Sequence, residues 1–184
     1  SFVSDPARRQ TTRWFAVHAM ANAVISALVV PSIIAVAMSP TLAAYPPAHS
    51  GAASSSFPIC LVLWLHVYHS VFYTMGATDK LHHGVFVPLL ALPGYVYEWG
   101  ALGNFQLFFI CGLPGAAIYC TLVLQRCGAL LHVSEPNLSA ALNVYVRLPG
   151  VLAAQACMLL CLAYGTVQAP TWAAVVQVSI GSAN

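Results

Sequence analysis

Five long apolar stretches, roughly 14–38, 58–76, 81–100, 103–126 and 139–167, dominate the chain and are separated by short polar or turn-rich segments. Each is near the ~20 residues that an α-helix needs to cross the hydrocarbon core of a bilayer. The pattern predicts an all-α protein, a polytopic transmembrane helical bundle of about five spans that forms one domain over residues 1–184. The first stretch is too long for the apolar core of a signal peptide and is read as a span. Residues 39–57, rich in Pro, Ser and Ala, are expected to form an uncharged loop. The tail APTWAAVVQVSIGSAN is too short to cross and is expected at the interface or packed on a neighbour.

Composition agrees with that pattern. Hydrophobic residues make up 60% of the chain and charged ones 5%, against about 25% charged in a soluble domain. A net charge of +2 without any run of like charges argues against nucleic acid as a partner. The six cysteines have no CxxC spacing and are read as small apolar packing residues. Ser1, rather than Met, opens the chain, so an upstream piece is expected and the compartment, organellar or endomembrane, stays open.

The basic residues orient the spans. With five spans and the amino terminus on the positive side, Arg8, Arg9, Arg13, Lys80, Arg126 and Arg147 all fall toward one face, and the opposite loops hold no Lys or Arg. At 1.5 Å per residue, the pairs Pro93-Gly94, Pro114-Gly115 and Pro149-Gly150 lie about 15–18 Å from the inner ends of their spans. Three spans are therefore expected to bend, or to approach their neighbours closely, at one depth. Proline removes a backbone donor, and groups freed inside a membrane must face protein or a wet cavity.

The segment HVYHSVFYTMGATDKLHHG places four of the seven histidines, one aspartate and one lysine in a chain otherwise almost free of charge. His66 and His69, three apart, share a face of the second span, while Asp79, His82 and His83 sit at the turn into the third. In such a hairpin, residues equidistant from about position 77 face each other, which places His69 near His82 and His83. His18 in the first span and Arg147 in the fifth share that depth, on one side of the bundle. Ionisable groups inside a span are costly and usually face the bundle interior with a partner.

Four chemistries fit the cluster. Imidazoles can ligate a metal, act as general acid or base on an acyl group, bind haem or the magnesium of a chlorophyll axially, or only hydrogen-bond across helices. The spacing H-x2-H…H-H is not a zincin HExxH, so no metal is assigned. Glu98, within GYVYEWG, is read as an aromatic-belt position, and Asn137 or Ser139 as the cap of the fifth span. No nucleophile elbow, P-loop or dinucleotide fingerprint occurs.

The order D-x-x-H-H at a span entrance (Asp79, His82, His83), then GNFQLFFICGLPGAAIY and NVYVRLPG, resembles the TLC-domain family of ceramide synthases and translocating-chain-associating proteins. The likeness covers roughly residues 60–165 and is a partial match, because His66 and His69 only approximate the family's first histidine pair. It implies an intramembrane cavity that handles acyl lipids or sterols, with bound lipid and membrane lipids as partners. Were there catalysis, His82 or His83 would be the general base, Asp79 would fix its tautomer and Arg147 would hold an anionic group. His66, His69 and His18 would then line the ligand site. The alternative is a non-catalytic accessory subunit packed against other membrane subunits of a large respiratory or photosynthetic complex, a reading that rests on the small extramembrane mass and the incomplete motif.

Overall fold

The computed structural model describes residues 6–45, 55–131 and 134–181, and every regular element among them is helical. Helix α1 (Pro6–Leu28) continues into α2 (Val30–Met38) through a bend of 41°. Pro31, in the first turn of α2, explains the bend. It has no N–H, and its ring displaces the carbonyl four residues earlier. A single 3-10 turn (Pro40–Leu42) follows, then α3 (Phe57–Phe72).

After the hairpin come α4 (Ala77–Phe86) and α5 (Leu92–Val96), joined by a π turn (Val87–Ala91). Next, α6 (Gly100–Leu107) and α7 (Leu113–Arg126) flank the π turn Phe108–Gly112. Then α8 (Ser134–Leu142) and α9 (Leu148–Ala163) flank the π turn Asn143–Arg147, and α10 (Thr171–Gly181) ends the described chain.

The third helical run starts at Ala77, four residues before the expected boundary, because the Asp79 carboxylate accepts the Gly76 N–H at 3.1 Å and closes the first turn. It ends before Glu98, whose φ of 47° starts a tight reversal. Gly100 completes that reversal at φ 58°, where an added Cβ would strike the carbonyl oxygens of Ala43 and Tyr45. The fifth run begins at Ser134 rather than at Asn137 or Ser139.

Each π turn stands directly before a Leu-Pro-Gly triplet: Leu92-Pro93-Gly94, Leu113-Pro114-Gly115 and Leu148-Pro149-Gly150. The leucine N–H in each bonds five residues back, to Val87 O, Phe108 O and Asn143 O respectively. In every case the carbonyl that proline would strike, four residues earlier, belongs to the middle of the widened turn. One inserted residue thus absorbs the clash, and the helix continues without a break.

The glycines that follow are contact points. An added Cβ on Gly115 would meet the Asn22 amide, one on Gly150 the Phe109 ring, and one on Gly94 Trp99 Cδ1 at 3.6 Å and Ile59 at 3.8 Å. Helices α1 and α7 run antiparallel: Phe15 and His18 meet Tyr119, Asn22 meets Gly115, and Ser26 meets Gly112.

Polarity is inverted relative to a soluble domain. Large apolar side chains such as Met38, Trp64, Val71, Leu152 and Leu159 are exposed, whereas Asn22, Ser32, His69, Asn104, Gln106, Gln155 and Gln177 are buried. A lipid-facing exterior has this distribution. Among the described residues, the helices Gly100–Arg126 and Glu135–Ala163 are each long and apolar enough to cross a membrane, and the bent α1–α2 pair is a third candidate if counted as one span. The α10 tail packs inward: Ala173 and Ala174 are fully buried with Trp99, Leu102 and Met158.

Candidate functional site

The helices line a partly open cavity of about 350 Å³ that runs from the α3–α4 hairpin to the α5–α6 reversal. Its volume lies at the small end of ligand-binding sites. His18, His66, His69, Asp79, His82, His83, Tyr119 and Arg147 line one end; Ile59, Val62, Phe86, Leu90, Leu107 and Ile110 line its apolar middle. All seven residues singled out from the sequence border this one space.

A column of rings forms the wall from α1 to α3. Trp14 stacks on His69 at 4.2 Å between centroids, His69 on His18 at 4.0 Å, and His18 on Tyr119 at 4.4 Å. The contacts come from three different helices, so the column ties α1, α3 and α7 together at this end. His69 is 2% exposed and its Nε2 has no hydrogen-bond partner among the described residues.

The sequence placed His69 opposite the His82-His83 pair. It lies 5.8 Å from His83 between ring centroids, but it spends its face on α1. His66 makes the closer approach to the pair, 5.5 Å from His82 and 4.6 Å from His83. Residues three apart on a helix differ by about 60° around its axis, which is enough to turn one ring to α4 and the other to α1.

Backbone and hydroxyl contacts fix which ring nitrogen carries hydrogen in the neutral imidazoles. His66 Nδ1–H donates to Val62 O at 2.7 Å and His18 Nδ1–H to Trp14 O at 2.8 Å, so Nε2 is the acceptor atom in both. Ser70 Oγ donates its hydrogen to His66 O at 2.9 Å and accepts from His83 Nδ1–H at 3.3 Å. His83 therefore also presents a basic Nε2. His66 Nε2 and His82 Nε2 stand 3.4 Å apart, a contact in which His82 supplies the hydrogen.

Asp79 lines the cavity, but its carboxylate is engaged at the helix start with Gly76 N–H. The orienting role on His83 falls to Ser70, a residue the sequence reading did not single out. Arg147 donates through Nη1 to Asn143 Oδ1 at 2.7 Å, while its buried Nε has no partner among the described residues. Among those residues no group of three or more His, Cys, Asp or Glu has the geometry to hold a metal ion.

The opposite end of the cavity is polar as well. Trp99, Asn104, Gln106 and Gln177 line it, all nine-tenths or more buried. Asn104 Nδ2 donates to Ser32 Oγ and to Ser55 O, both at 3.1 Å, and Gln177 Nε2 donates to Gln106 Oε1. Amides within apolar stretches carry the same signal that marked the histidines, since a polar side chain in a span seeks the interior. Applied to Asn104 and Gln106, that rule finds this end.

Comparison of the chain with protein-family models, curated proteins and solved structures gives no match.

Proposed function

We propose that the chain is an integral membrane protein of about five spans that holds a lipid or other amphiphile in its interior cavity, in the manner the TLC-domain resemblance implies. One observation carries this reading: a single cavity has an apolar middle and an end lined by five imidazoles, a tyrosine and an arginine. An alkyl segment fits the apolar wall, where its burial is worth about 25 cal/mol per Å². The basic Nε2 atoms of His18 and His83 would accept hydrogen bonds from a headgroup hydroxyl, amide or ammonium, and His69 Nε2, without a partner among the described residues, offers a third contact. Arg147 would meet an anionic oxygen, because its Nε–H is otherwise unpaired among the described residues.

In this arrangement the hairpin, with Lys80 and the neighbouring Arg9, Arg13 and Arg126, lies on the positive side of the membrane. The histidine end then faces that leaflet. If the bound lipid undergoes acyl transfer, His83 is the best-placed base, with Ser70 holding its ring.

Lipid extraction from the purified protein, read by mass spectrometry, tests the proposal. The expected result is an amphiphile retained in fixed stoichiometry and lost in Ile110→Trp, which fills the apolar middle. Equal lipid content in the wild type and a folded Ile110→Trp variant would overturn it.

A further inference from the structure

The second polar end of the cavity has hydrogen-bonding capacity that the protein does not use. Trp99 is 3% exposed and its Nε1–H has no partner among the described residues. Gln106 and Gln177, 5% and 6% exposed, bond to each other once, which leaves Gln106 Nε2 and Gln177 Oε1 unpartnered among the described residues. Exchanging the nitrogen and oxygen of both amides changes nothing essential, since one N–H2 and one oxygen remain free either way. A buried polar group without a partner costs about 1–3 kcal/mol. Three such atoms, on residues that line one end of the cavity, mark a place for a ligand group that both accepts and donates.

The two ends are separated by a measurable length. Gln106 and Tyr119 are thirteen positions apart on the continuous helix Gly100–Arg126, about 20 Å at 1.5 Å per residue. Along the α4–α5 arm, His83 and Gly94, which lies against Trp99, are about 16 Å apart by the same rise. Hydrogen bonds of about 2.9 Å at each end leave roughly 10–14 Å between the ligand's own polar atoms.

From these placements we infer that the cavity selects a single-chain amphiphile with a hydrogen-bonding group at both ends. One end meets the imidazoles, and the other meets Trp99 Nε1–H and the free amide atoms of Gln106 and Gln177. The inference rests on the lipid-binding reading and narrows its ligand class. An extended chain advances about 1.2 Å per bond, so an α,ω-decanediol has the right reach and hexanediol is too short.

The test compares decanediol, decanol and hexanediol as additives to the full chain in lipid nanodiscs, with thermal unfolding followed by circular dichroism. Decanol should raise the midpoint in the wild type and less in His69→Phe, which keeps the stacked ring and removes Nε2. Decanediol should raise it further than decanol, and hexanediol should not. Trp99→Phe should remove the excess of decanediol over decanol and leave the decanol shift in place. Gln106→Leu should do the same.

A second readout keeps Trp99, Gln106 and Gln177 in place. In protein with 15N-labelled tryptophan, the Trp99 indole signal, assigned by elimination through Trp14→Phe, Trp64→Phe and Trp172→Phe, should move with decanediol and stay with decanol. Equal midpoint shifts for the two alcohols, or an indole signal that responds to neither, would overturn the two-ended site while a decanol shift that depends on His69 leaves lipid binding standing. No shift with either alcohol would overturn both.

Discussion

The Nε2 atoms of His66 and His82 face each other across the α3–α4 hairpin at 3.4 Å. Because His66 holds its hydrogen on Nδ1 for Val62 O, the two rings share a single hydrogen, and removing either ring loses the same contact. His66→Ala and His82→Ala should each weaken binding of a cavity amphiphile, with the double variant barely worse than the stronger single one. A double-mutant cycle on decanol-induced stabilisation checks this; coupling of about 0.5 kcal/mol or more is expected for residues in direct contact.

Gly150 packs so closely on Phe109 that any Cβ there overlaps the ring. Gly150→Ala should destabilise the protein by about 1–3 kcal/mol, the usual cost of overpacking, and Phe109→Ala should suppress much of that loss. Gly84, inside α4 with open space around its Cα, gives the contrast: Gly84→Ala should stabilise by about 0.5–1 kcal/mol. Denaturation in detergent measures both.

The helical class and the convergence of the polar residues were legible from the sequence for a physical reason. A charge or imidazole inside an apolar run has few places to go except the bundle interior, so spacing alone brought His18, His66, His69, His82, His83 and Arg147 to one space. Less was legible where two groups compete for the same ring. Nothing in the spacing says that Trp14 and His18 capture His69, or that Ser70 rather than Asp79 orients His83. The three Pro-Gly pairs announced irregular helix, but the π turns that absorb each proline depend on backbone geometry no residue pattern spells out.

Arg147 Nε is buried without a partner among the described residues, while its Nη1 is held by Asn143. Arg147→Leu should therefore weaken binding of an anionic chain such as decanoate by tenfold or more, about 1.4 kcal/mol, and change decanol binding little. Competition between the two ligands in nanodiscs measures the difference, and equal losses for both would deny Arg147 an anion-binding role.

Cysteine chemistry reports on the same architecture. Cys127, exposed beyond the end of α7, should react with a membrane-impermeant maleimide added from the basic side, and the fully buried Cys161 should not. Cys111 lines the cavity, so its slower labelling by a permeant maleimide should slow further when decanol is present. Mass spectrometry of the labelled peptides gives all three rates.

Photo-crosslinking with a decanol that carries a diazirine at mid-chain tests the interior cavity most directly. If the amphiphile sits inside, adducts concentrate on Leu90, Leu107 and Ile110, and an excess of unlabelled decanol removes them. Adducts confined to outward-facing residues such as Val144, Leu152 and Leu159, unaffected by competitor, would contradict the account.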